Sequence, residues 1–191
     1  MSENNAHSGE TKEQRLARFK NGHPTEVIET IIQSMGNYFV NELRVVFDNT
    51  SNRQTNLMFL GTHSIALTIS HGLFGRGGED GYKLFLENFA DGETPDKTFS
   101  TVASEIHEWR NVIAHRWINV AGHSISYDFD MSEGWKKHGE FLLINPQVYL
   151  NQFLETFGKG GRIYRYNKVL TSDIMREEAK QRFISKYTDE A

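Results

Sequence analysis

Residues 98–120 read TFSTVASEIHEWRNVIAHRWINV, and the period of this stretch decides the fold. At about 100° per residue, Phe99, Val102, Ile106, Trp109, Ile113 and Trp117 fall into one stripe. That is the pattern of an α-helix with a single buried seam. His115 lies on the side away from the seam. Asn111 comes four residues before it, on nearly the same line and close enough to hydrogen-bond the imidazole. Arg110 flanks the seam, about 140° around the helix from His115. Those two tips meet only through the length of the arginine or through a second subunit. Ser100, Ala103, Ser104 and Ala114 share the outer face, where small side chains would let another helix come close.

The rest of the chain is read outward from this helix. Upstream, Pro24 and Thr25 open a helix whose apolar residues recur at Val27, Ile28, Ile31, Ile32, Met35, Phe39, Leu43 and Val46. DNTSNRQ interrupts it. A second helix is expected from about Gln54 to Phe74, with a seam of Leu57, Leu60, Ile65, Leu67 and Ile69. GRGGEDG then reads as a flexible loop, without the lysine and strand context of a phosphate-binding loop. YKLFLENFA follows as a short helix that DGETPDK ends.

Downstream the period shifts to two. Ser124 to Phe129 alternates polar and apolar, Met131 to Gly139 reads as turn, and EFLLI at 140–144 reads as the returning strand. Pro146 opens a further helix through Tyr149, Leu150, Phe153, Leu154 and Phe157, closed by Gly158. The expectation is an all-α fold, an antiparallel helical bundle with a small late β-hairpin and a C-terminal helix. Residues 1–22 form a disordered polar tail, 23–160 the helical domain with its hairpin at 123–145, and 161–191 a helical extension that packs on the body or reaches a partner.

Composition narrows the chemistry. The chain of 191 residues contains no cysteine, which excludes disulfides, thiolate metal sites and cysteine nucleophiles. Its net charge of −4 argues against general nucleic-acid binding, so any such role needs a local basic patch. Arg116 with Lys136, Lys137 and His138 could form one, although charge runs are usually solvated surface. No apolar run is long enough for a membrane span, and the opening residues lack the apolar segment of a secretory signal. A cytoplasmic protein with no membrane partner is expected. His63 and His71, and His107 and His115, are each eight apart. Neither a Glu-x-x-His nor a His-Glu-x-x-His pattern accompanies them, so no metal or other cofactor is expected.

A lone helical histidine is usually a solvated or structural residue, and Arg110 could simply pair with Glu105 or Glu108. Neither explains why Arg110, Asn111 and His115 share a helix with an open face. RNVIAH at 110–115 resembles the signature of the HEPN superfamily, an arginine followed four to six residues later by a histidine, often with a polar residue after the arginine. The resemblance is firm over about residues 95–120 and loose over 25–157. It implies a compact helical bundle, a homodimer, and a metal-independent endoribonuclease of the kind found in toxin–antitoxin and other defence systems, with RNA as substrate and an antitoxin protein as a further partner. Arg110, Asn111 and His115 would be the catalytic residues, with His107, Arg116, Lys136 and Lys137 as weaker substrate contacts. Some members lack catalysis, so the alternative is a non-catalytic helical interaction or nucleotide-binding module.

The chemistry suits these residue types. A histidine that titrates near neutrality can take the proton of an RNA 2′-hydroxyl or give one to the leaving oxygen. An arginine can steady the charge on the phosphate by a forked contact. Two motifs facing across a dimer would supply base, acid and clamp without a metal.

Overall fold

The computed structural model describes residues 9–49, 55–116 and 125–188. The N-terminal region departs from expectation. Within the polar stretch 1–22, residues Lys12–Asn21 form helix α1, while residues 1–8 lie outside the described residues. A capping box starts α1. The Thr11 hydroxyl accepts from the Gln14 backbone N–H, and the Gln14 side chain accepts from the Thr11 N–H. One apolar anchor, the buried Phe19, then docks the helix, which packs against the C-terminal helix. The sequence signal is weak because, beside Phe19, only Leu16 among the apolar positions packs against the core.

Helix α2 (Pro24–Tyr38) runs through a π-helical turn at Phe39–Leu43 into α3 (Arg44–Asn49). Its expected seam faces the core, with Val27, Ile28, Ile31, Ile32 and Phe39 buried. Helix α4 spans Thr55–Phe74. Helix α5 (Gly78–Phe85) continues as a π turn through Ala90. It starts inside the stretch expected to be a flexible loop, because Gly75 and Gly78 adopt positive φ of 66° and 61° and turn the chain tightly enough for Glu79 and Asp80 to enter the first helical turn. Two 3₁₀ turns, Pro95–Lys97 and Phe99–Val102, lead into α6 (Ala103–Arg116). Residues 117–120, expected to extend that helix and to include Trp117 in its seam, lie outside the described residues.

A three-stranded sheet follows, built from β1 (Ile125–Tyr127), β2 (Trp135–His138) and β3 (Phe141–Ile144) in the order β1-β3-β2. The hairpin is β2 with β3, closed at Gly139, whose φ is 64°. The strand expected to pair as the first arm, β1, lies parallel to β3 on its other side, with Ile125 opposite Leu142 and Tyr127 opposite Ile144. β2 falls in the stretch expected to be turn, because WKKH is too polar to show a buried face. Helix α7 (Pro146–Phe157) begins where Asn145 caps the Gln147 and Val148 amides. A short α8 (Tyr166–Val169) and the long α9 (Asp173–Thr188) complete the chain.

α4 is the central helix, packed against α5, α6 and α9, while α2 packs on α9 as well. The C-terminal residues therefore join the body's core, through Ala179, Phe183 and Ile184. The face that α4 buries only partly follows the expected seam. Of that seam, Ile65 and Ile69 are buried, Leu60 and Leu67 partly buried against the core, and Leu57 exposed, while the buried side also carries Met58, Phe59, Thr62, His63, Ala66 and Ser70. By length and composition α4 could cross a membrane, the one such helix among the described residues. Here it lies within the bundle, more than half buried.

Candidate active site on the motif helix

Helix α6 is held at both ends of its first turns. The Asp91 carboxylate accepts from the Ser100 amide at 3.0 Å, satisfying a donor at the 3₁₀ entry to the helix. The guanidinium of Arg162 donates to the carbonyls of Asp91 (2.6 Å), Ala90 (3.0 Å) and Gln152 (2.9 Å), tying that entry to α7. Burial pushes the Asp91 carboxyl above its usual pKa, against the opposing pull of these bonds. From β2, Lys137 reaches Glu105 at 2.5 Å.

The seam of α6 is as its sequence predicts. Phe99, Val102, Ile106, Trp109 and Ile113 are all buried. Trp109 meets the rings of Phe59 and Tyr127 edge to face, at 5.3 and 5.2 Å between centroids. The outer face is only partly open. Ser100 and Ala103 are buried, and the helix that their small side chains admit is α5 of the same chain. On that border the Ser104 hydroxyl hydrogen-bonds to Glu79.

The motif residues divide into a connected pair and a separate histidine. Arg110 is half-buried and donates from Nη1 to Asn111 Oδ1 at 3.0 Å. The amide oxygen of Asn111 is therefore held by Arg110, where an imidazole partner was expected. His115, one turn further along, is exposed and has no hydrogen bond among the described residues. The Arg116 side chain lies outside the described residues, Lys136 is exposed on β2, and Lys137 is engaged by Glu105. Two of the expected basic contacts are thus an exposed lysine near Glu133 and an ion-paired one.

One turn before Arg110 lies a contact that spacing along the chain could not reveal. His107 Nδ1 stands 3.0 Å from Nε2 of His63 on α4. His63 is 0% exposed. Its ring lies 4.3 Å from that of Tyr82, whose hydroxyl meets the Tyr149 hydroxyl at 2.8 Å in the core. Burial lowers the His63 pKa to about 3, with smaller contributions from His107 and Arg110. Burial also lowers that of His107, where Glu79 pulls upward and Arg110 downward. Both rings are neutral near pH 7. The sequence drew attention to these histidines as pairs eight apart on each helix, and to His107 also as a weaker substrate contact. The packing instead joins one from each helix, 44 residues apart. Among the described residues no group of three or more histidines, aspartates and glutamates is placed to share a metal ion.

The face assembled on α6 therefore carries a neutral imidazole (His107), a fixed cation (Arg110), an amide (Asn111) and, further along, a solvated imidazole (His115). Such a set can hold an anion and move a proton. Compared with protein families, with curated proteins and with solved structures, the chain matches none.

Proposed function

We propose that the chain is a metal-independent endoribonuclease of HEPN type, acting on single-stranded RNA. The observation that supports it best is the hydrogen-bonded Arg110–Asn111 pair on the same helix as an exposed His115. An exposed imidazole is free to take the proton of the substrate's 2′-hydroxyl. The 2′-oxygen then attacks the adjacent phosphorus, the bond from phosphorus to the 5′-oxygen breaks, and that oxygen leaves with a proton. The products are a 2′,3′-cyclic phosphate and a 5′-hydroxyl. Arg110, steadied by Asn111, would face the charge that builds on the phosphate. One chain offers one exposed motif histidine, so a second copy would supply the partner acid. A toxin or defence role, with an antitoxin protein as partner, follows from the resemblance of the motif alone.

The test is cleavage in the presence of EDTA. Purified protein should cut single-stranded RNA with chelator present and leave DNA of the same sequence intact, since DNA lacks the nucleophile. A methyl group on a single 2′-oxygen should protect that linkage only. His115→Ala and Arg110→Ala should abolish cleavage without unfolding the protein. Cleavage lost with EDTA and restored by a divalent ion would overturn the reading.

A second reading is favoured by one observation. A shallow groove at the α5–α6 border is lined by Glu79, Lys83, Glu87 and Glu105, with Glu87 paired to Lys83 and Glu105 to Lys137, a mixed-charge surface of the kind that pairs with another protein. A non-catalytic helical interaction module fits that surface. Absence of turnover under every condition above, with partner binding intact, would select it.

A further inference from the structure

We propose that His107 is a phosphate-binding residue, a neutral imidazole that the buried His63 fixes as its Nε2–H tautomer, so that it and Arg110 donate together to the oxygens of one RNA phosphodiester. The proposal rests on the ribonuclease reading for the identity of the ligand and on the following geometry for everything else.

A single proton lies between His63 Nε2 and His107 Nδ1, which are 3.0 Å apart. Either nitrogen can carry it, and burial decides which. The other ring nitrogen of His63, Nδ1, is buried with no partner among the described residues. If the proton of neutral His63 sat there, an N–H donor would be stranded away from water with its desolvation uncompensated. If it sits on Nε2, only a lone pair goes unmet, which native interiors tolerate more readily than an orphaned donor. His63 Nε2–H therefore donates to His107 Nδ1. Neutral His107 must then carry its own proton on Nε2, the nitrogen on the far side of the ring from His63.

The charged and titratable groups facing His107 are His63 from α4, Glu79 from α5 and Arg110 from its own helix. Only Glu79 favours a protonated ring, and burial outweighs it. The result is a donor that keeps its proton without carrying a charge. His107 and Arg110 are three residues apart, one helical turn, and so share a face. Arg110 engages Asn111 through one Nη, which leaves its other Nη free to fork onto an oxygen beside the imidazole. Without His63, His107 would exchange tautomers and present a lone pair to the phosphate for part of the time.

The experiment separates binding from cleavage by using a 2′-O-methyl RNA hexamer, which contains the phosphodiesters but not the nucleophile. Two-bond ¹H–¹⁵N correlation spectra of the full chain at about pH 7 should show His107 protonated on Nε2 and not on Nδ1, with the Nε2 signal shifting as hexamer is added. His107→Ala should weaken hexamer binding about tenfold, while His107→Gln, whose amide can donate from a similar position, stays within about threefold of wild type. His63→Leu should give mixed tautomers at His107 and weaker binding. An Nδ1–H tautomer in the wild type, or full hexamer affinity in His107→Ala, overturns the proposal. If the hexamer binds through His107 but unmodified RNA is never cut, the ribonuclease reading falls and the clamp stands. If RNA is cut and His107→Ala binds and cuts like wild type, the clamp falls and the ribonuclease reading stands.

Discussion

His63 places a titratable ring where water cannot solvate its charge, and this links stability to pH. Its pKa is about 3 in the folded protein against an ordinary 6.5. Between those values the unfolded chain binds the extra proton and the folded chain does not, so stability falls as pH falls through the window. The loss from this group is on the order of 5 kcal/mol across it, and His107, lowered in the same direction, adds to it. Asp91, raised by burial, acts in the opposite sense, and does so above the usual carboxylate value, where the folded chain holds a proton that the unfolded chain has lost. The urea midpoint of the wild type should therefore drop steeply from about pH 7 to about pH 4, and His63→Leu should flatten that limb. Parallel limbs in the two proteins would remove His63 as the cause. At this scale the sequence exposed half of the site. RNVIAH is local, and one helix suffices to show that Arg110, Asn111 and His115 lie off the seam. The partnership of His63 with His107 depends on which faces of α4 and α6 meet, and that is set by packing between residues distant in the chain.

Among the elements, α2, α6 and α7 were legible because their apolar residues recur on one side only. α4 was not, since it is apolar nearly all round. Ile65 and Ile69 of the expected seam do face the core, but its leucines at 57, 60 and 67 stand at the edge or outside, and the core instead took Thr62, His63, Ala66 and Ser70, whose smaller side chains let α5, α6 and α9 approach. Gly72 is the closest of these approaches. A Cβ there would lie 2.2 Å from ring carbons of Phe183 on α9, well inside contact distance. Gly72→Ala should therefore destabilise the protein by about 1–3 kcal/mol, measured by denaturant unfolding. Phe183→Leu makes room for that methyl, so the double variant should be more stable than the two single losses added together. Strict additivity would mean that the helices do not meet at this point. The sheet was half legible for a different reason. Strand alternation identified β1 and β3, but alternation says nothing of direction, and β2 is hidden by its lysines.

For the whole molecule, α5 packs along the motif helix, whose exposed side chains among the described residues are Ser104 and Glu108 in its first half and Ala114 and His115 near its end. Ser100 and Ala103, expected to admit a second subunit, already admit α5. If two copies pair around the motif, they must do so near Ala114 and His115, both exposed. Light scattering at micromolar concentration should give twice the chain mass, and Ala114→Arg should return it to one while circular dichroism stays unchanged. A chain that is monomeric throughout, and still cuts RNA, would rule out the composite two-histidine site.

The seating of α9 between α2 and α4 also bears on how the protein is made. Arg182 donates to the carbonyl of Gly72, 110 residues earlier. At about 5–20 residues per second, a ribosome emits that intervening length in roughly 5–20 s. Throughout that interval the apolar flanks of α2 and α4 have nothing of their own chain to cover them on that side. The nascent polypeptide is therefore a natural client for a chaperone holdase, and a transcript cut short before codon 173 should yield aggregate rather than a smaller folded protein.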